Sequence, residues 1–82
     1  DADGEWIVVD LEGNRIIGLV QIKLCETVDF EIYISSDSIN YELLEKAKSR
    51  DYKISLSNTA FRYFRLFFPS KPSQVKHILL YS

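Results

Sequence analysis

Cysteine, histidine, proline and glycine are scarce in these 82 residues, at one, one, two and three copies, and methionine is absent altogether. A lone cysteine excludes an internal disulfide and any cysteine-rich zinc site. Cys25 has no basic neighbour closer than Lys23, so it is expected to act as a small apolar filler and not as a reactive thiol. Gly4, Gly13 and Gly18 are too scattered to cradle a phosphate. His77 alternates with Val75 and Leu79, which puts it on a strand face, and no spacing joins it to a serine nucleophile and a carboxylate. With no paired acid/base signature and no metal-ligand spacing, the expectation is a protein that is not an enzyme and carries no cofactor.

Charge of one sign is lacking too. Ten basic and twelve acidic residues are spread along the chain for a formal charge of −2, so no electrostatic footprint for nucleic acid is present. No apolar run approaches the roughly 18–20 residues of a membrane-spanning helix. A chain this short forms one domain and buries only roughly 60–65% of its unfolded surface. A large internal cavity would be costly in it.

Aromatics are what the chain does have, and they are concentrated in Phe61-Arg62-Tyr63-Phe64-Arg65-Leu66-Phe67-Phe68, which holds four of the five phenylalanines. Aromatic side chains favour a pleated surface, so this reads as a central strand buried on both faces. Arg62 and Arg65 inside it need carboxylate or carbonyl partners. Asp10, between Val9 and Leu11, is the natural one, and a structural ion pair of Asp10 with Arg62 or Arg65 is expected to tie the first strand to the central one.

In chain order, Trp6 to Leu11 reads as a strand closed by the turn chemistry of Glu12-Gly13-Asn14. Ile16 to Leu24 follows, with Ile16, Gly18, Val20, Ile22 and Leu24 on one face, and the two strands are expected to form a hairpin turning at Gly13-Asn14. Gly18 inside a strand marks a bulge or a close backbone approach. Phe30, Ile32 and Ile34 alternate with Glu31, Tyr33 and Ser35, and the polar run to Ser38 turns the chain. Tyr41 to Arg50 is ambiguous, because Glu42/Lys46 and Leu43/Ala47 have helical spacing in a chain otherwise made of strands. Tyr52, Ile54 and Leu56 alternate again, Ser57-Asn58-Thr59 forms a turn, Pro69 to Ser73 a loop, and Val75 to Tyr81 the last strand. Six or seven short strands between polar turns predict an all-β fold, an antiparallel β-sandwich or jelly roll spanning 1–82 as one domain. Because the chain opens on Asp1 and not on Met, it is expected to be a piece of a longer protein.

The motif order Trp6-Ile7-Val8-Val9-Asp10-Leu11, then Phe30-Glu31-Ile32-Tyr33-Ile34-Ser35-Ser36-Asp37-Ser38, then Phe61-Arg62-Tyr63-Phe64-Arg65-Leu66, and finally Val75 to Tyr81, resembles the discoidin family, or coagulation factor 5/8 C-terminal type, within the galactose-binding-like β-sandwiches. Ser38 stands where that family usually has glycine and Tyr41 where it has tryptophan, and only the latter part of the family's length is matched. The resemblance implies a strand over 41–48, with helix as the alternative. It also implies calcium in many relatives, although the acidic residues Asp1, Asp3, Glu5, Glu26 and Asp29 lack the spacing of a calcium loop. Sugar-binding relatives often carry an arginine and an asparagine in the loop that here reads Cys25-Glu26-Thr27-Val28-Asp29, which has neither.

Functional residues are therefore sought in the turns, which a sandwich holds rigidly at its ends. Candidate ligand contacts are Asn14 and Arg15 in the first turn, Glu26 and Asp29 in the second, and Ser70 and Lys71 in the last. The implied function is a non-catalytic module that attaches a larger protein to a glycan or another surface ligand. The alternative is a structural interaction module, using an open apolar face or sheet edge to oligomerise or to dock on a protein partner in a multi-subunit or virion-type assembly.

Overall fold

The computed structural model describes residues 5–69 and 75–81. Three runs of extended backbone carry them: β1 (Glu5–Ser35), β2 (Glu42–Phe68) and β3 (Val75–Tyr81), in the lateral order β2-β1-β3 with every pairing antiparallel. The two long runs change partners along their length. Residues 5–10 and 31–35 flank 63–68 on either side, and 28–34 also pair with 42–49. Residues 19–24 are flanked by 51–55 and 75–81, with 15–17 against 59–61. Each long run thus crosses from one ladder to the other and back, and the described residues resolve into the short strands of an antiparallel β-sandwich. Helical spacing in 42–49 yields to this pairing, since the segment forms a ladder edge against 28–34.

One apolar cluster fills the interior. Phe30, Ile32, Ile34, Phe64, Leu66 and Phe68 come from the first ladder, and Ile17, Val20, Ile22 and Leu24 from the second, all nearly inaccessible. An edge-to-face contact joins the layers, with the Phe30 ring 5.6 Å from Tyr52, and another within the first ladder sets Phe30 6.3 Å from Phe68. The molecule measures 30 × 25 × 18 Å, a thickness that suits two sheets about 10 Å apart with side chains outside them.

Three features depart from the sequence reading. Residues 6–11 and 16–24 do not form a hairpin. The backbone turns a corner instead, with Glu12 at φ 65° and Gly13 at φ 151°, and delivers the chain to the opposite layer. Gly13-Asn14 turn chemistry serves a corner as well as a hairpin. Second, Ile16 is exposed at 57% while Ile17 is buried, because the register shifts between Ile17 and Leu19 at the anticipated irregularity, Gly18. Residues 56–58 form the other side of that shift, and 57–59 stay in β2 without turning. Third, the central strand is buried on one face only: Phe61, Phe64, Leu66 and Phe68 point inward, and Tyr63, Arg65 and Phe67 lie half-buried on the outside.

Candidate functional site

Pairing of both Asp10 and Ser35 with Tyr63 puts the corner at 11–15 and the turn at 36–40 at one end of the sandwich. The opposite end gathers the 25–29 connection, residues 49–51 and Pro69. The candidate residues therefore divide. Asn14 and Arg15 sit at the corner end, Glu26 and Asp29 at the other, and Ser70 and Lys71 lie outside the described residues.

Side-chain hydrogen bonds hold the corner end. Asp10 Oδ1 accepts the Glu12 N–H at 2.8 Å, which supports the left-handed residue there. Arg62 grips the same carboxylate in a fork, Nε to Oδ1 at 2.8 Å and Nη2 to Oδ2 at 3.1 Å. The Arg62 hydrogen bond, then that of Glu12, holds the Asp10 carboxyl below its ordinary range, and Asp10 in turn raises Arg62. Both side chains are about two-fifths exposed, so the pair is a solvated strap between 5–10 and the central strand. Next to it, Asp37 Oδ1 accepts the N–H groups of Ile39 and Asn40, both at 2.9 Å, and the Ser35 hydroxyl donates to the same oxygen at 3.0 Å. Those donors push the Asp37 carboxyl far below its usual range.

Arg65 behaves differently. It does not reach Asp10; its guanidinium carbon lies 3.9 Å from the centre of the Trp6 ring and 3.8 Å from that of Tyr41, with Tyr33 at 5.5 Å. Aromatic faces replace the expected carboxylate or carbonyl, and Arg65 Nε is buried without a hydrogen-bond acceptor. Trp6, on the sheet's outer face, also packs at 4.3 Å on Phe67. The Tyr33 hydroxyl donates to Glu31 Oε1 at 2.6 Å, which raises its pKa.

The far end is open and charged. A groove of about 440 Å³ is lined by Asp29, Phe30, Glu31, Lys46, Ala47, Lys48 and Pro69. Pairing sets Asp29 opposite Lys48 and Glu31 opposite Lys46, so acceptors and donors alternate across the groove. A smaller concavity of about 270 Å³, lined by Lys23, Leu24, Cys25, Arg50 and Asp51, belongs to the same end. Cys25 is exposed there and is not the expected filler, because at 25–27 the chain leaves its ladder and the register breaks between Lys23 and Val28. Lys46 and Lys48 were not singled out by the sequence, where helical spacing masked their place in a groove. His77 is exposed on β3 opposite Lys23. Among the described residues no group of three or more carboxylate, imidazole or thiol side chains converges. No described helix is long and apolar enough to cross a membrane.

No protein-family model and no curated protein sequence matches the chain. Solved structures do. A fucose binding module of Streptococcus pneumoniae superposes with a TM-score of 0.73 at 16% identity, over 93% of this chain and 62% of that one. A CBM32 domain produced by Clostridium perfringens gives 0.73 at 15% identity, over 96% and 71%. The fold is a discoidin-type, galactose-binding-like β-sandwich. The same sandwich is found within a Ruminococcus gnavus GH29 fucosidase solved in complex with fucose, with a TM-score of 0.82 at 18% identity over 98% of this chain. The chain spans only 18% of that fucosidase's length. At these identities the discoidin-type likeness is one of fold.

Proposed function

We propose that this chain is a non-catalytic glycan-binding module whose sugar site is the groove between Asp29, Glu31, Lys46 and Lys48, and that it attaches a longer protein to its glycan. The observation that carries this reading is the groove: two carboxylates, two ammonium groups and the apolar residues Phe30, Ala47 and Pro69 line it, at an end where connections meet. Sugar hydroxyls both donate and accept, and a pyranose ring presents an apolar face, so such a lining complements them. The fold supports the reading, since the similar structures include a fucose binding module and a fucosidase in complex with fucose. Fucose is accordingly the first probe. In a titration of the ¹⁵N-labelled chain, L-fucose should shift amides of 29–31 and 46–48 saturably, and Asp29→Ala with Lys48→Ala should abolish the shifts without altering the melting temperature. A flat titration with fucose, galactose and their N-acetylated relatives would remove the reading.

The second reading, assembly, rests on the outer face of the first ladder. Trp6 is 46% exposed, Val8 53% and Leu43 44%. Apolar surface of this kind marks interfaces when it is contiguous. Sedimentation equilibrium over a dilution series separates the two readings: a concentration-dependent dimer favours assembly, a monomer the sugar groove.

A further inference from the structure

The corner end holds a second concavity, of about 540 Å³, lined by Leu11, Asn14, Arg15, Ile16, Ile17 and Leu80. Four of the described residues that line it are aliphatic, and among them all Arg15 alone is charged. Arg62 and Arg15 both belong to this end of the sandwich, and the Asp10 carboxylate serves only the first. Asp10 gives both oxygens to Arg62, and among the described residues Arg15 is in no ion pair. The Arg15 guanidinium is nonetheless held, because its Nε–H donates to the Leu11 carbonyl at 3.0 Å across the corner. That bond occupies one edge of the guanidinium and leaves its two terminal nitrogens as a fork for a carboxylate. Asn14, beside it on the rim, adds an amide donor and acceptor.

We infer that this corner cleft is a second ligand site, independent of the sugar groove at the other end, and that it takes a carboxylate carried on a ring with an apolar face. The carboxylate bridges the Arg15 fork, and the ring lies against Ile16, Ile17 and Leu80. Apolar walls with one oriented cation at the rim are the usual composition of a small-molecule site. The preceding corner keeps the cation in place, since Glu12 and Gly13 hold left-handed backbone under the Asp10 cap.

Two sources offer that chemistry: a hexuronic acid of an acidic glycan, and a small aromatic or alicyclic carboxylate. Titration of the ¹⁵N-labelled chain with sodium D-glucuronate and with sodium benzoate distinguishes them, with methyl glucoside and benzyl alcohol as neutral controls. Saturable shifts at 11–17 and 80 are expected for at least one acid, at least tenfold weaker binding for its neutral counterpart, and no change when Lys48 is replaced by alanine. Stronger binding of glucuronate assigns the acidic-sugar source, and stronger binding of benzoate the other. Arg15→Ala should weaken binding of the acid at least tenfold. Arg15→Lys, which keeps the charge and loses the fork, should recover only part of it, and it serves as the test should Arg15→Ala fail to fold. Absence of shifts with both acids, equal binding of the neutral controls, or full affinity in Arg15→Lys would overturn the assignment.

Discussion

The two ends of the sandwich are built on opposite terms. At the corner end, Asp10 and Asp37 each collect several donors, and the backbone accepts left-handed residues at Glu12 and Ser38 because those carboxylates cap it. At the groove end, charged side chains stand opposite one another across a ladder and face solvent, Gln21 Nε2 donates to Asp51 Oδ1 at 3.2 Å, and the Ser49 hydroxyl donates to the Asp51 carbonyl at 3.1 Å and accepts the Asp51 N–H at 3.2 Å. Carboxylates that each collect several donors specify shape at one end, and single side-chain bonds over the core do so at the other. A cleft at the first should be preorganised, whereas the groove at the second is free to adjust to a ligand.

The most forceful way to break the contrast is from the inside. Phe61 is 1% exposed and sits where β2 passes from one layer to the other, opposite Arg15. Phe61→Ala should cost about 3–5 kcal/mol, a large share of what so small a domain possesses, and thermal melts by circular dichroism should show a mostly unfolded chain at 37 °C. Both ends should be lost together.

A selective attack on the corner end is acid. With the Asp37 carboxyl far below the ordinary value in the folded chain, its hydrogen bonds stabilise the fold fully above the unfolded value of about 4, and that contribution is lost as pH falls towards the folded value. Melting temperatures should therefore drop below about pH 4. Asp37→Asn should melt lower than the parent at neutral pH and show a shallower acid limb. Parallel acid limbs in the two proteins would mean that the turn does not depend on the charge.

Alkali acts on the other end, with a smaller effect. Tyr52 lies opposite Ile22 near the groove and donates its hydroxyl to Glu45 Oε2 at 2.7 Å. Burial first, and then Glu45, pushes the phenol up to about 12. Because the folded value is raised, the contribution is complete below about pH 10 and is lost as pH rises from 10 to about 12. Tyr52→Phe should flatten the alkaline limb of the melting curve in that window and leave the acid limb unchanged.

How much of this the residues announce by themselves depends on the range of the interaction. Alternation in 30–34 and the aromatic density of 61–68 reflect burial, which sets side-chain type directly, and both are legible as strands of a sandwich. The corner at 12–14 is legible as a turn and illegible as a change of layer, because the destination is decided by partners 40 or more residues away, such as Ala60 for Ile16. The same distance hid the fate of the arginines. Asp10 alone in an apolar strand signals a need for a cation, but the choice between Arg62 and Arg65 depends on Tyr41 and Trp6 both reaching the Arg65 guanidinium. As for the sites, Asn14, Arg15 and Asp29 are visible as turn residues, whereas the lysines facing Asp29 and Glu31 emerge only once 42–49 is placed in a ladder.

The crossing of the long runs between layers also dictates how the chain must assemble in time. Trp6 pairs with Phe67, and Leu19 with Tyr81, so each of these contacts closes a loop of roughly 60 residues. Among the described ladders the one pair of sequence neighbours is 28–34 with 42–49, and its apolar face is covered only when distant strands dock on it. Folding should therefore be a single slow event on the millisecond-to-second scale of non-local β topologies, with no half-sandwich along the way.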